Sequence, residues 1–277
     1  MKGRLRFART PAGSIGLALL ALVLAVALLG PLVAPHEPDV PVGIPLTGPA
    51  EGQVLGTDFL GRDVLSRVLW GGRSVLALAG AATLLAYLVG GAAGMFAGYR
   101  HGLVDGTLMR GVDVMLSVPP LIFLLVLVTG AGTSAAVLVL GVALVQAPLV
   151  ARVVRTATLE QSVKGFVEAA EARGERTLAI IRRELLPNIA GPVFADAGLR
   201  FAYSIILVAS VNFLGLGLQP PAADWALIIS ENRSGLDLNP YVILVPALLI
   251  AILAIAVNLV GDAIARTLGR SGAGEAR

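Results

Sequence analysis

About six stretches of the chain stay apolar for roughly 20 residues, the length a helix rising about 1.5 Å per residue needs to cross a bilayer's hydrocarbon. They lie at Ser14–Val33, Val75–Gly98, Val114–Gly132, Ala135–Ala151, Gly191–Leu218 and Tyr241–Gly261. A chain of 277 residues that is 56% hydrophobic and only 14% charged lies outside the make-up of a soluble globular domain. The fold class this predicts is an all-α polytopic membrane protein. Lys2, Arg4, Arg6 and Arg9 precede the first run and Leu32-Val33-Ala34 has the look of a cleavage region. The run is too long for a signal segment's apolar core of about 7 to 15 residues, so it reads as a span.

The basic residues orient the bundle. With both termini in the cytoplasm, roughly 16 Lys and Arg fall on the cytoplasmic side, about 4 outside, and Arg200 within a helix. The expected order is a basic cytoplasmic N-terminus (1–13), a first span (14–33), an extracytoplasmic loop (34–74), a core of five further spans (75–262) and a cytoplasmic tail (263–277). The core contains a polar cytoplasmic segment, 152–190. A net charge of +3, with the basic residues at the ends of apolar runs rather than on one face, argues against nucleic acid as a partner. The chain has no cysteine, and His36 and His101 are its only histidines, which leaves no thiolate chemistry, no cysteine metal site and little basis for a histidine-based one, so no metal ligands are expected.

The extracytoplasmic loop is rich in Pro and Gly and ends in LGTDFLGRDVLSRVLWGGRS, Leu55 to Ser74. There Thr57 or Asp58 can cap a helix with Leu60, Val64, Leu65, Val68 and Leu69 on one stripe and Asp63, Ser66 and Arg67 off it. This predicts a short helix along the outer membrane surface, either a connector covering the bundle or a gate. In the second span Ala82, Ala86, Gly90, Gly94 and Gly98 form a small-residue ridge suited to close helix packing, with homodimerisation as the alternative. Prolines 119, 120, 148 and 246 permit bends. Asp105, Arg110 and Asp113 read as a cytoplasmic charge cluster.

Two polar features stand out. Asp196 and Arg200, one turn apart in the fifth span, are translocation-path candidates; the other reading is a structural pair at the interface from which Arg200 snorkels. The segment GFVEAAEARGERTLAIIRRELLPN, Gly165 to Asn188, reads as helix, turn, helix. Gly174 supplies a residue able to take positive φ at a C-terminal cap. Leu178, Ile181 and Leu185 make one docking face, and Pro187 stops the second helix before the fifth span. So charged an element has no reason to enter lipid and should bind a soluble partner.

Glu168-Ala169-Ala170, then Gly174, then Leu186-Pro187 resembles the EAA motif of permease subunits in bacterial ABC importers. Four further stretches resemble the dipeptide and oligopeptide branch: Leu55–Ser74, GYRHGLVDGTLMRGVDVMLSVP (Gly98–Pro119), NFLGLGLQPPAADW (Asn212–Trp225) and NLVGD (Asn258–Asp262). Departures from that pattern are Ala147 and Val150 where relatives carry Trp and Tyr, Val208 where many have Glu, and the tail after Asp262. The resemblance implies a type I importer permease fold in the bacterial cytoplasmic membrane. It further implies a homologous permease as heterodimer partner, two cytoplasmic ATPase subunits docked on Glu168, Ala169, Ala170, Gly174, Leu186 and Pro187, and an extracytoplasmic solute-binding protein. The cargo implied is a di- or oligopeptide, or alternatively nickel, glutathione or an oligosaccharide. The chain lacks a Gly-x-x-x-x-Gly-Lys-[Ser/Thr] loop, so it is expected to bind no cofactor, with ATP and Mg handled by the partner ATPases.

Two rival classes are weaker. A membrane protease would need a base beside Gly269-Arg270-Ser271-Gly272, and no histidine follows it; the aspartyl pattern at Gly261-Asp262 has Leu259 where it needs glycine. A secondary carrier would need repeated halves and midplane coupling-ion residues, for which Asp196 and Arg200 are the only candidates.

Overall fold

The computed structural model describes residues 10–272. The basic residues at 2, 4, 6 and 9 and the end of the tail, 273–277, lie outside them. The chain folds into ten α-helices among the described residues: α1 (Pro11–Val33), α2 (Val64–Arg100), α3 (Gly102–Leu116), α4 (Pro120–Ala131), α5 (Ala135–Ser162), α6 (Gly165–Ala172), α7 (Thr177–Ile180), α8 (Leu186–Phe213), α9 (Trp225–Asn232) and α10 (Tyr241–Gly272). Among the described residues five helical stretches are long and apolar enough to cross a membrane: α1, α2, α5, Thr177–Phe213 and Tyr241–Ile264. The pair α3 and α4, bent by 82°, makes a sixth when counted as one span. The expected third span, Val114–Gly132, is therefore broken: α3 ends at Leu116 and Pro119 caps α4, because a residue before proline is driven out of the helical region.

Close packing relies on small residues. A Cβ at Gly90 would stand 2.2 Å from the Ala147 carbonyl oxygen, and one at Gly94 2.4 Å from that of Ala151. The small-residue ridge of α2 thus seats α5 of the same chain, which supplies the intramolecular alternative to homodimerisation. Gly30 lets α1 reach the backbone of α2 at Leu69, and Gly198 of α8 faces Gly261 of α10. Apolar clusters fill the spaces between: Leu78, Leu124, Val142 and Val208 join α2, α4, α5 and α8, while Val23, Val75, Ile205 and Leu253 join α1, α2, α8 and α10.

Helix α2 departs most from expectation. Its 37 residues span about 55 Å, well beyond a hydrocarbon core of about 30 Å, so its first turns project outside the membrane. There is no separate surface helix, since residues 64–74 are the outer end of α2 and its N-cap is Asp63, whose carboxylate accepts from the Ser66 N–H at 2.9 Å. Asp63, Ser66 and Arg67, the residues off the apolar stripe, are all buried. Gly71-Gly72 does not break the helix either: Trp225 and Ala27 lie where side chains would be.

Candidate coupling and translocation sites

The cytoplasmic segment is built on a glycine turn. At the end of α6 the Gly174 N–H donates to the Glu171 carbonyl (2.8 Å) and the Glu175 N–H to that of Ala170 (3.2 Å), the paired bonds of a Schellman cap. Gly174 sits at φ +72°, the positive value expected of it. A Cβ there would meet nothing within 4 Å, so the demand for glycine comes from the backbone and not from crowding. Val167, Ala170, Ile180 and Leu185 form a small core against Tyr99 at the inner end of α2, and Tyr99 Oη donates to Glu171 Oε1 at 2.7 Å. Glu168, Ala169, Gly174, Leu178, Leu186 and Pro187 are exposed around this core.

Two expectations fail here. Leu178, Ile181 and Leu185 do not form one docking face: Leu185 is fully buried in the segment's own core, whereas Leu178 is 75% exposed. Nor does Pro187 stop the helix. Residues Ile181–Leu185 form a π turn in which the Leu186 N–H reaches the Ile181 carbonyl, and α8 continues through Pro187 at its first turn. The wider turn absorbs a proline that lacks an N–H and would crowd the carbonyl four residues back. The cytoplasmic segment is thereby continuous with a membrane-spanning helix. Beside it, Arg155 pairs with Asp105 and Arg152 with Asp113 (2.5 Å), fastening α3 to α5.

Within the membrane, Asp196 and Arg200 do pair, Arg200 Nε donating to Asp196 Oδ1 at 3.1 Å. The other carboxylate oxygen accepts from Tyr87 Oη of α2 at 2.6 Å. Gln146 of α5 donates through Nε2 to the Arg200 carbonyl (2.9 Å) and to Ser204 Oγ, which also meets Thr83 Oγ1 at 2.8 Å. Three helices thus contribute to one polar cluster in the bundle. The sequence marked only the i, i+4 pair.

At the outer end lies an ionic cluster that sequence reasoning missed. Asp58 is fully buried; its Oδ2 accepts from Arg62 Nε (2.6 Å) and Arg67 Nη1 (2.8 Å), and its Oδ1 from the backbone N–H of Leu60 and Arg62. Glu231 of α9 closes the network on Arg62 and Arg67 at 3.1 and 3.0 Å. Burial pushes the Glu231 carboxyl up to about 7; Arg62 opposes the shift and the Asp58 carboxylate adds to it. Next to it, Asp224 caps α9 while accepting from Ser74 Oγ (2.7 Å) and Asn212 Nδ2 (2.9 Å), and buried Trp225 donates to the Val68 carbonyl at 2.8 Å. Asn239 Nδ2 binds the carbonyls of Thr47, Leu55 and Thr57, tying the start of α10 to the loop. Among the described residues no group of three His, Cys, Asp or Glu side chains could hold a metal ion.

Residues 90–271 match the family of binding-protein-dependent transport system inner membrane components, and residues 3–50 match the N-terminal transmembrane domain of oligopeptide transport permease C. The glutathione transport system permease protein GsiD of Pectobacterium atrosepticum is 36% identical over 78% of this chain and 71% of its own length. The di/tripeptide transport system permease protein DppC of Pseudomonas aeruginosa is 32% identical over 92% of this chain and 87% of its own. Among solved structures, an inward-facing MetNI methionine ABC transporter superposes with a TM-score of 0.60 at 21% identity, over 73% of this chain and 95% of that one. This last likeness concerns the fold.

Proposed function

Because the chain belongs to the family of binding-protein-dependent transport system inner membrane components, a multi-pass permease of ABC importers, we propose that it carries peptides inward as one half of a heterodimeric pathway. In this reading a homologous permease encloses the route with it, a solute-binding protein delivers cargo from outside, and two cytoplasmic ATPase subunits bind and hydrolyse Mg-ATP. This chain contributes no nucleotide chemistry. The peptide assignment is supported by relatives named for di- and tripeptide transport.

The observation that carries the coupling role is the construction of the cytoplasmic segment. A Schellman-capped turn at Gly174 presents Glu168, Ala169, Leu178 and Leu186 outward, while its other face is packed on α2 and its chain runs unbroken into α8. A partner that displaces this exposed face moves a membrane helix with it, as a rigid lever requires. The test is purification by a C-terminal tag from gently solubilised membranes, followed by mass spectrometry. A second permease and ATPase subunits should accompany the chain and be lost when residues 168–187 are replaced by a flexible linker. Solute movement in vesicles without ATP, with this chain alone recovered, would overturn the proposal.

A further inference from the structure

The intramembrane cluster holds its arginine in an unusual way. A pair that serves only to cancel two buried charges gains most from bidentate geometry, with the planar guanidinium fork against both carboxylate oxygens. Here Asp196 spends one oxygen on Tyr87 Oη and offers the other to Arg200 Nε alone. The Arg200 carbonyl is fixed by Gln146, so both ends of the residue are anchored. Its terminal Nη1 and Nη2 donate to no group among the described residues, and neither is an enclosed, unpartnered atom. With the side chain 14% exposed, the fork lies at the edge of a narrow opening that the described residues leave uncovered.

Arg200 is the fifteenth residue of the 28-residue helix α8, too far from the helix's first turn for that opening to face bulk cytoplasm. A guanidinium facing hydrocarbon there is costly, and charged side chains within spans face a bundle interior or a water-filled cavity. The cluster is asymmetric in what it offers: the Asp196 oxygens are both taken, and the free hydrogen-bonding capacity is a pair of parallel cationic donors. That is the complement of a carboxylate.

We propose that Arg200 is a carboxylate-binding point on the solute's route through the membrane, positioned by Asp196 and Tyr87, so that the cargo passed by this chain bears a free carboxylate. This rests on the transport reading above and narrows it. Asp196 and Tyr87 are positioning residues, holding one edge of the guanidinium so that the other edge is presented.

The first measurement needs no transport. In the purified full complex, an arginine-directed dicarbonyl reagent should modify Arg200, with peptide mass spectrometry as the readout. The dipeptide dialanine and acetate should protect it, and dialanine C-terminal amide should not. No modification, or equal protection by the amide, would overturn the proposal. Protection that requires anionic phospholipid and is indifferent to dialanine would assign the fork to a lipid phosphate instead, which also overturns it.

The second measurement is uptake of dialanine by the complex reconstituted with its binding protein. Arg200→Gln should lower uptake by about ten-fold or more, the scale of losing charge-assisted hydrogen bonds. Because Arg200→Gln leaves Asp196 uncompensated, the double variant Asp196→Asn/Arg200→Gln separates the roles. It should remain as defective if Arg200 reads the solute, whereas recovery of uptake would make the pair structural and overturn the proposal. The controls are ATP hydrolysis stimulated by the binding protein in the wild-type complex, and recovery of both variants assembled with the partner subunits at wild-type yield. If wild-type complex shows neither that stimulation nor uptake, the transport reading fails, and the protection experiment still decides the carboxylate site.

Discussion

The two ends of the molecule are held by opposite means. Outside, buried charges and amides from the loop, α2, α8, α9 and α10 are cross-linked into one body: Asp58, Arg67 and Asp224 have no exposed surface, and each makes at least two side-chain bonds. Inside, the segment between α5 and α8 consists of helices of eight and four residues joined by a glycine turn and followed by the π turn that leads into α8, with its Arg173–Glu175 ion pair partly open to water. Buried ionic networks tolerate few geometries, because leaving any member unpaired in a low dielectric is expensive. The inner segment keeps its own small core against Tyr99 and runs into α8, but no buried ionic network fastens it to the outer body. The difference fixes the outer end and leaves the inner segment to shift as one piece with α8, as expected of a bundle driven from the cytoplasm.

The comparison breaks most sharply at Asp58. Asp58→Ala would leave Arg62 and Arg67 buried with only the single Glu231 oxygen between them, and removing one partner from a buried pair costs about 3–5 kcal/mol. The solubilised protein should melt many degrees lower, and proteolysis should open the 34–63 loop first. A melting temperature within a degree or two of wild type would show that the outer end is not the rigid body described.

This outer network is also where the sequence was least legible. The spans were readable because each imposes a continuous apolar run that nothing else requires, and Gly174 because a charged segment with one central glycine has few uses for it. Arg62 and Glu231 are 169 residues apart, and no local period marks them as partners. Local patterning even points the wrong way, since Asp63, Ser66 and Arg67 fall off the apolar stripe of α2 and are nevertheless buried. Buried polar residues look identical to solvated ones until the groups that satisfy them are known. The same limit explains why Asp196 and Arg200 were found as an i, i+4 pair while Tyr87, on another helix, was not.

At the inner end the expected effect on stability is smaller and that on function larger. Gly174→Val places a β-branched residue at φ +72° with open space around it, a backbone cost of about 1–3 kcal/mol confined to the turn. Membrane insertion and melting temperature should change little, while ATP hydrolysis by the assembled complex should no longer be matched by uptake. Coupled transport at the wild-type ratio would count against the lever.

The outer network should also respond to pH in a defined direction. Glu231 is raised from an ordinary 4.5 to about 7, so the folded protein holds its proton more tightly than the unfolded chain does. Its favourable contribution is complete below about 4.5 and is lost as pH rises through about 7, so stability should fall across that window. Melting temperatures measured from pH 4.5 to 7.5 should slope less steeply downward in Glu231→Gln than in wild type. An unchanged slope would move the titration to another group.

The smallest effect tests the other half of the contrast. Arg152 and Asp113 meet at 2.5 Å but are 53% and 59% exposed, and exposed pairs contribute about 0.2–1 kcal/mol, less in salt. Arg152→Ala should therefore shift melting by no more than a degree or two, and that shift should vanish at high ionic strength. Arg155, on the same face of α5 and half-buried against Asp105, makes the less exposed of the two ion pairs between α3 and α5. Replacing Arg155 should cost more than replacing Arg152, and double substitution should be additive if the two pairs act independently. Strong coupling between them would mean that α3 and α5 form a second rigid unit at the cytoplasmic face, and the mobile element would then shrink to residues 165–185 alone.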